Sequence, residues 1–188
     1  MAGMWTRWNR ETFADLSAVL LGGPAIVASL MDVLGRGPET VMTYSRTAPH
    51  PTPFLRAFLS IELLRRMGFE KEAGAHQRLW LKLYPRPRGG NVPEAILTSF
   101  PKVCPLVVDT ICYQPFEALG GKALSEIYRF QPKEHGMIEE AAQRLATGND
   151  PGVVPARFLI GASRLALDRK LASPTAIAKN FYKELARR

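Results

Sequence analysis

The chain has 188 residues, 46% of them hydrophobic and 22% charged, with a formal net charge of +8. These proportions exclude wholesale disorder, and the length is enough to bury a core without disulfides or structural metals. The positive charge is blocky: residues 36–90 hold 10 Lys+Arg against 4 Asp+Glu, and residues 154–188 hold 8 against 2. Such blocks offer an acidic partner one or two basic surfaces without saying which partner it is.

In chain order, Asn9 is placed to cap a first helix with Phe13, Leu16, Leu20 and Leu21 on one face. Pro24 opens a second helix, with Ile26, Val27, Leu30, Val33 and Leu34 inward and Gly35 at its end. Leu16 to Met31 is uncharged for 16 residues, short of the roughly 20 a spanning helix needs. Gly22, Gly23 and Pro24 break its middle, so the segment reads as two short buried helices and not as a membrane anchor. Glu11 and Asp15 spoil any positively charged leader, which makes the cytoplasm the expected location. Residues 36–52 read as a loop.

The next unit is the clearest. Pro53 to Met67 and Glu70 to Tyr84 are both helical in pattern, stopped by Gly68 and Pro85, and predict an antiparallel helical hairpin. Phe54, Leu55, Phe58, Leu59, Ile61, Leu63 and Leu64 cover so much of the first helix that it must be largely buried. Ala73, Leu79, Trp80, Leu83 and Tyr84 give the second a facing stripe. Residues 67–85 resemble the second half of a tetratricopeptide repeat, with Gly68, Ala73 and Pro85 at matching mutual spacing. Trp80 stands where that repeat has a small alanine, the first helix lacks its Leu-Gly pair, and no second copy follows at the repeat period. The resemblance implies a hairpin and not an array.

Residues 85–92, rich in proline, arginine and glycine, form a possible internal linker. Beyond it lie short apolar pieces separated by prolines, Pro93 to Phe100 and Pro105 to Tyr113. The second fits a strand on propensity, but an isolated strand has no partner here, so it is read as a buried helix. Residues 114–133 are irregular. Three helices close the chain at about 134–147, 155–171 and 174–187. The reading is all-α: a single domain over 1–188 of about seven to nine helices packed as antiparallel hairpins.

No residue set forms a catalytic signature. Glu72 and His76 stand one helical turn apart and would need further ligands to hold a metal, so a metal-dependent enzyme is the weakest reading. No cofactor or metal is implied. Cys104 and Cys112 are eight apart, too far for a disulfide within a helix, and read as buried free thiols. The basic residues are more suggestive. Lys179, Lys183 and Arg187 fall at i, i+4 and i+8, backed by Ile177, Phe181 and Leu185. Arg157 and Arg164 sit on the preceding helix, and Arg78 and Lys82 lead to Arg86 and Arg88. Spaced cations suit a nucleic-acid backbone, RNA or DNA. They equally suit an acidic protein surface, as in a subunit of a larger complex, or a solvated helix face. Trp5, Trp8 and Trp80 are candidate protein-interface residues. Trp5 and Trp8 stand beside Arg7 and Arg10, a pattern that favours interfaces but equally fits folding back on the core, and Trp80 belongs to the hairpin as an apolar docking face. The functional expectation is a non-enzymatic helical binding subunit that contacts nucleic acid. The alternative is a protein–protein adaptor built on the helical hairpin.

Overall fold

Proline sets many of the helix starts. Pro24, Pro38, Pro53, Pro132 and Pro174 each lie in a first turn, where the missing N–H removes no ladder bond. The computed structural model describes residues 2–85, 90–152 and 154–187. Among these residues there are ten α-helices, one 3-10 turn and no strand, so the chain is all-α. The helices gather into two units, Met1–Arg129 and Phe130–Arg188.

The first unit contains α1 (Ala2–Gly22), α2 (Pro24–Leu34), α3 (Pro38–Val41), α4 (Pro53–Arg66), α5 (Glu70–Leu83), α6 (Glu94–Cys112), a 3-10 turn (Glu117–Leu119) and α7 (Leu124–Ile127). Helix α4 is the hub, packed against α1, α2, α3, α5 and α6. Its composition explains this. Leu55, Ala57, Leu59, Ser60, Ile61, Leu63 and Leu64 are buried on successive sides of the helix, and a helix apolar nearly all round must be enclosed. It ends in a Schellman motif: Phe69 N–H donates to Leu64 O at 2.9 Å, and Gly68 N–H donates to Arg65 O at 3.0 Å. Gly68 has φ +87°, the left-handed conformation this turn requires. The reversal lays α5 against α4 as the predicted hairpin.

The start of α1 differs from the expected cap at Asn9. Met4, Trp8, Thr12 and Leu16 recur at four-residue intervals and are all buried, so the apolar stripe carries the helix upstream of Asn9. Phe13 and Leu21, expected inward, lie at the exposed edge, as does Val33 on α2. The Gly-Gly-Pro turn forms as expected: Gly23 is buried at φ +62°, and its N–H donates to Val19 O at 2.8 Å.

Helix α6 is the larger correction. Two short pieces were expected, yet one helix of 19 residues runs through both Pro101 and Pro105. Neither proline has an N–H, so the ladder bonds to the Leu97 and Pro101 carbonyls are missing. The helix persists because Ile96, Phe100, Cys104, Val108 and Ile111 form a continuous buried stripe, and α6 packs on α4 and α1. Arg66 on α4 clasps it as well, donating to Pro105 O at 3.3 Å and to Asp109 Oδ1 at 3.1 Å. Among the described residues α6 alone is long and apolar enough to cross a bilayer by length and composition, with a mean hydropathy of 1.4.

The second unit is three helices: α8 (Pro132–Ala146), α9 (Ala156–Asp168) and α10 (Pro174–Leu185), each packed on the other two. Small residues let α8 and α9 approach closely: Ala141 and Ala142 on one, Gly161, Ala162 and Ala166 on the other. Phe130 and Phe158 fill one end in an edge-to-face pair, with centroids 5.8 Å apart. Asn180 on α10 donates to Leu145 O at 2.8 Å, satisfying a carbonyl in the last turn of α8. At the end of α9, Leu171 N–H donates to Ala166 O at 3.0 Å, a second Schellman turn with Lys170 in the left-handed position at φ +54°.

Candidate polycation surfaces

The sequence-derived cations divide into two kinds once their neighbours are known. In the second unit all five described arginines are ion-paired. Arg144 meets Glu140 at 2.7 Å, Arg157 meets Glu134 at 3.3 Å, Arg164 meets Asp168 at 2.9 Å, Arg187 meets Glu184 at 2.7 Å, and Arg169 meets Glu139. Arg157 also lies over the Phe158 ring, 4.9 Å from its centroid. Three of the proposed backbone-binding residues, Arg157, Arg164 and Arg187, are thus engaged within the unit. The lysines are different. Lys133, Lys170, Lys179 and Lys183 are exposed, and among the described residues no carboxylate lies within 4.0 Å of any of them. Lys179 and Lys183 stand one turn apart on α10 and form the uncompensated part of the stripe.

The backing of that stripe also differs from expectation. Ile177 is buried and Phe181 half-buried, but Leu185 is 45% exposed while Glu184 is buried. Helical geometry accounts for it. Seven residues past Ile177 the side chain has drifted only about 20°, whereas eight residues give about 80°. Glu184 therefore takes the inward place and is met there by Arg187.

In the first unit Arg78 and Lys82 are exposed on α5, again with no carboxylate within 4.0 Å among the described residues. Arg86 and Arg88 lie outside the described residues. Of the proposed interface tryptophans, Trp8 and Trp80 are each 1% exposed and belong to the core. Trp8 packs edge-to-face on Trp5 at 5.2 Å, and Trp80 does so on Tyr84 at 4.5 Å. Both rings complete buried stripes of long helices, so the interface assignment is corrected for these two. Trp5 stays half-buried over a cavity of about 230 Å³ that includes Asn9, Thr12, Leu106 and Thr110. Leu79 and Leu83, expected to face α4, are exposed (49% and 53%), because Ala73, Trp80 and Tyr84 occupy the buried arc of α5.

The other chemical candidates resolve as follows. Cys104 and Cys112 are free and buried, and burial pushes both thiols up to about 12. Neither is a ready thiolate nucleophile at neutral pH. Glu72 and His76 are half-buried on α5, and among the described residues no group of three or more His, Cys, Asp or Glu side chains is placed to hold a metal.

Residues 36–52, read as a loop, hold the short helix α3 and an ordered course over 42–46 whose partners the sequence did not reveal. The Asn91 side chain treats the Tyr44 backbone as a peptide partner: it accepts from Tyr44 N–H and donates to Tyr44 O at 3.1 Å, while its own N–H donates to Met42 O at 3.2 Å. Arg7 on α1 donates to Arg46 O at 2.6 Å from the other side. Tyr84 O–H, at the end of α5, donates to Arg36 O at 2.9 Å. No local signal marks these pairings, which span 39 to 49 residues.

In comparisons with protein-family models, curated proteins and solved structures, the chain matches none of them.

Proposed function

We propose that the chain is a non-enzymatic helical binding subunit whose uncompensated lysines and arginines contact the phosphate backbone of a nucleic acid. The observation that carries this reading is the contrast inside the second unit. Every described arginine there is neutralised by a carboxylate, yet Lys179 and Lys183 stay exposed and uncompensated one turn apart. Flexible lysines without partners are suited to phosphates as point charges, and such binding is sequence-tolerant and salt-dependent. Arg78 and Lys82 offer a second pair of the same kind on α5.

The test is fluorescence anisotropy of labelled single- and double-stranded oligonucleotides over a salt series. Binding is expected at low salt for unrelated sequences. Lys179→Glu with Lys183→Glu should weaken it and lower the log–log salt slope by roughly 1.5. Absence of low-salt binding, or an unchanged slope, would refute the reading.

A second reading, a protein–protein adaptor on the α4–α5 hairpin, is favoured by one observation. Leu79 and Leu83 are exposed one turn apart on α5, an apolar pair beside the Arg78–Lys82 cations. Loss of a stoichiometric protein partner on Leu79→Ser with Leu83→Ser would support it, and retention of that partner would count against it.

A further inference from the structure

A cavity of about 400 Å³ opens in the first unit between the first turns of α1, the 42–46 segment and the start of α6. Its polar lining comes from Arg7 and Arg46, and its apolar lining from Met4, Tyr44, Pro93 and Ile96. No carboxylate belongs to the lining, and among the described residues none lies within 4.0 Å of either guanidinium. Arg56, Arg65 and Arg66 of the same unit each meet an acidic side chain, whereas Arg7 and Arg46, like Arg78, meet none among the described residues; what distinguishes the two is that they line one cavity. Arg7 spends one of its five donors on Arg46 O, which fixes its guanidinium beside the loop and leaves the remaining N–H groups unassigned. The loop itself is held by the Asn91 bridge, so Arg46 is carried on a fastened segment. The opposite wall is firm: Met4 and Ile96 are buried, and the Tyr44 ring stands edge-on to Trp8, with its O–H 3.7 Å from Met4 Sδ.

Arg7 and Arg46 are exposed at the mouth of the cavity with no carboxylate beside them among the described residues, and planar guanidinium forks suit phosphate oxygens bidentately. A phosphate monoester carries a charge of about −1.5 to −2 near neutral pH, which matches two arginines better than a single carboxylate does. The apolar wall beside them asks for a body that is not purely polar, and the volume falls within the range of small-molecule sites. We propose that this cavity binds a small organic phosphate, its phosphate on Arg7 and Arg46 and its aromatic or apolar body against Met4, Tyr44, Pro93 and Ile96. The residues are distinct from the α5 and α10 cations invoked for nucleic acid, so this site stands or falls separately.

Isothermal titration calorimetry of the full chain tests it, with adenosine 5′-monophosphate, adenosine and inorganic phosphate as probes. The nucleotide should bind with one-site stoichiometry, and both fragments should bind at least tenfold more weakly. Arg46→Ala should lower nucleotide affinity about tenfold or more and leave the melting temperature unchanged, because among the described residues the Arg46 side chain makes no hydrogen bond or ion pair that would be lost. Arg46→Lys should recover only part of the affinity, while Arg10→Ala, an exposed cation outside the lining, should change nothing. The proposal is overturned if the nucleotide gives no saturable heat, if adenosine binds as tightly, or if Arg10→Ala and Arg46→Ala weaken binding equally. The last outcome would mark general charge attraction.

Discussion

The Arg56 guanidinium on α4 meets the Asp15 carboxylate on α1 through two parallel bonds, Nε to Oδ2 at 2.7 Å and Nη2 to Oδ1 at 2.8 Å. Their side chains are mostly buried, and Glu11 approaches the same guanidinium at 3.8 Å. The bond to Asp15 raises the Arg56 pKa against the opposing effect of burial. Removing one partner strands the other, so Asp15→Ala should cost about 3 kcal/mol in urea denaturation. The double replacement Asp15→Leu with Arg56→Met should recover most of that loss. A double-mutant cycle with no coupling would show that the pair is only decorative.

Lys170 is the one non-glycine residue with positive φ among the described residues, and it sits where Gly68 and Gly148 close α4 and α8. Left-handed backbone costs an L-residue roughly 1 kcal/mol that glycine avoids. Lys170→Gly should therefore raise stability by about 1 kcal/mol, measurable as a higher melting temperature. Lys170→Ala, which removes the same charge but keeps the Cβ, should not. Equal behaviour of the two variants would point to charge instead of backbone strain.

The two buried thiols give the fold a defined alkaline limit. A cysteine titrates from an ordinary value of 9.0, and burial pushes Cys104 and Cys112 up to about 12. The folded chain keeps protons that the unfolded chain has released. The stabilising contribution is thus complete below pH 9.0 and declines as pH rises toward 12. Burial raises Tyr113 in the same direction. The urea midpoint should fall between about pH 8 and about pH 11, and Cys104→Ala with Cys112→Ala should flatten that fall. An unaltered slope in the double variant would refute the assignment.

Arginines and lysines of the second unit should respond differently to substitution. Arg164→Ala breaks an ion pair near the surface and should cost up to about 1 kcal/mol of stability. Arg187→Ala leaves the buried Glu184 carboxylate unpaired and should cost more, and both should change polyanion affinity little. Lys179→Ala and Lys183→Ala should leave stability unchanged and weaken polyanion binding. Chemical denaturation and anisotropy on the same four proteins separate the two effects, and a reversed pattern would relocate the contact surface to the arginines.

The starts of α2, α4 and α10 were legible in the sequence because proline acts locally, and so was the α4–α5 hairpin, whose glycine turn is written in adjacent residues. The uninterrupted course of α6 was not, because a proline inside a helix is tolerated only when burial elsewhere offsets it, and that burial comes from α4 and α1. Nor were the charge partners. Glu134 reaches Arg157 across 23 residues and Glu139 reaches Arg169 across 30, so the charge tally saw a basic block where folding brings acids to its arginines. Trp8 and Trp80 were legible only as alternatives, interface or core, and burial at 1% exposure places both in the core. A tryptophan beside cations on a helix fits either an interface or a core, and only the packed neighbours decide.

The proline pair in α6 also bears on the order of assembly. Two missing rungs in a helix of 19 residues leave little local cooperativity, and isolated helices of this length are marginal even with a full ladder. A peptide spanning residues 94–112 should be mostly coil in water. The helical state of α6 is then conferred by its neighbours, so it should form after the α4–α5 hairpin, whose contacts are local in sequence. Hydrogen exchange should report the same hierarchy, with amides of α6 opening before those of α4.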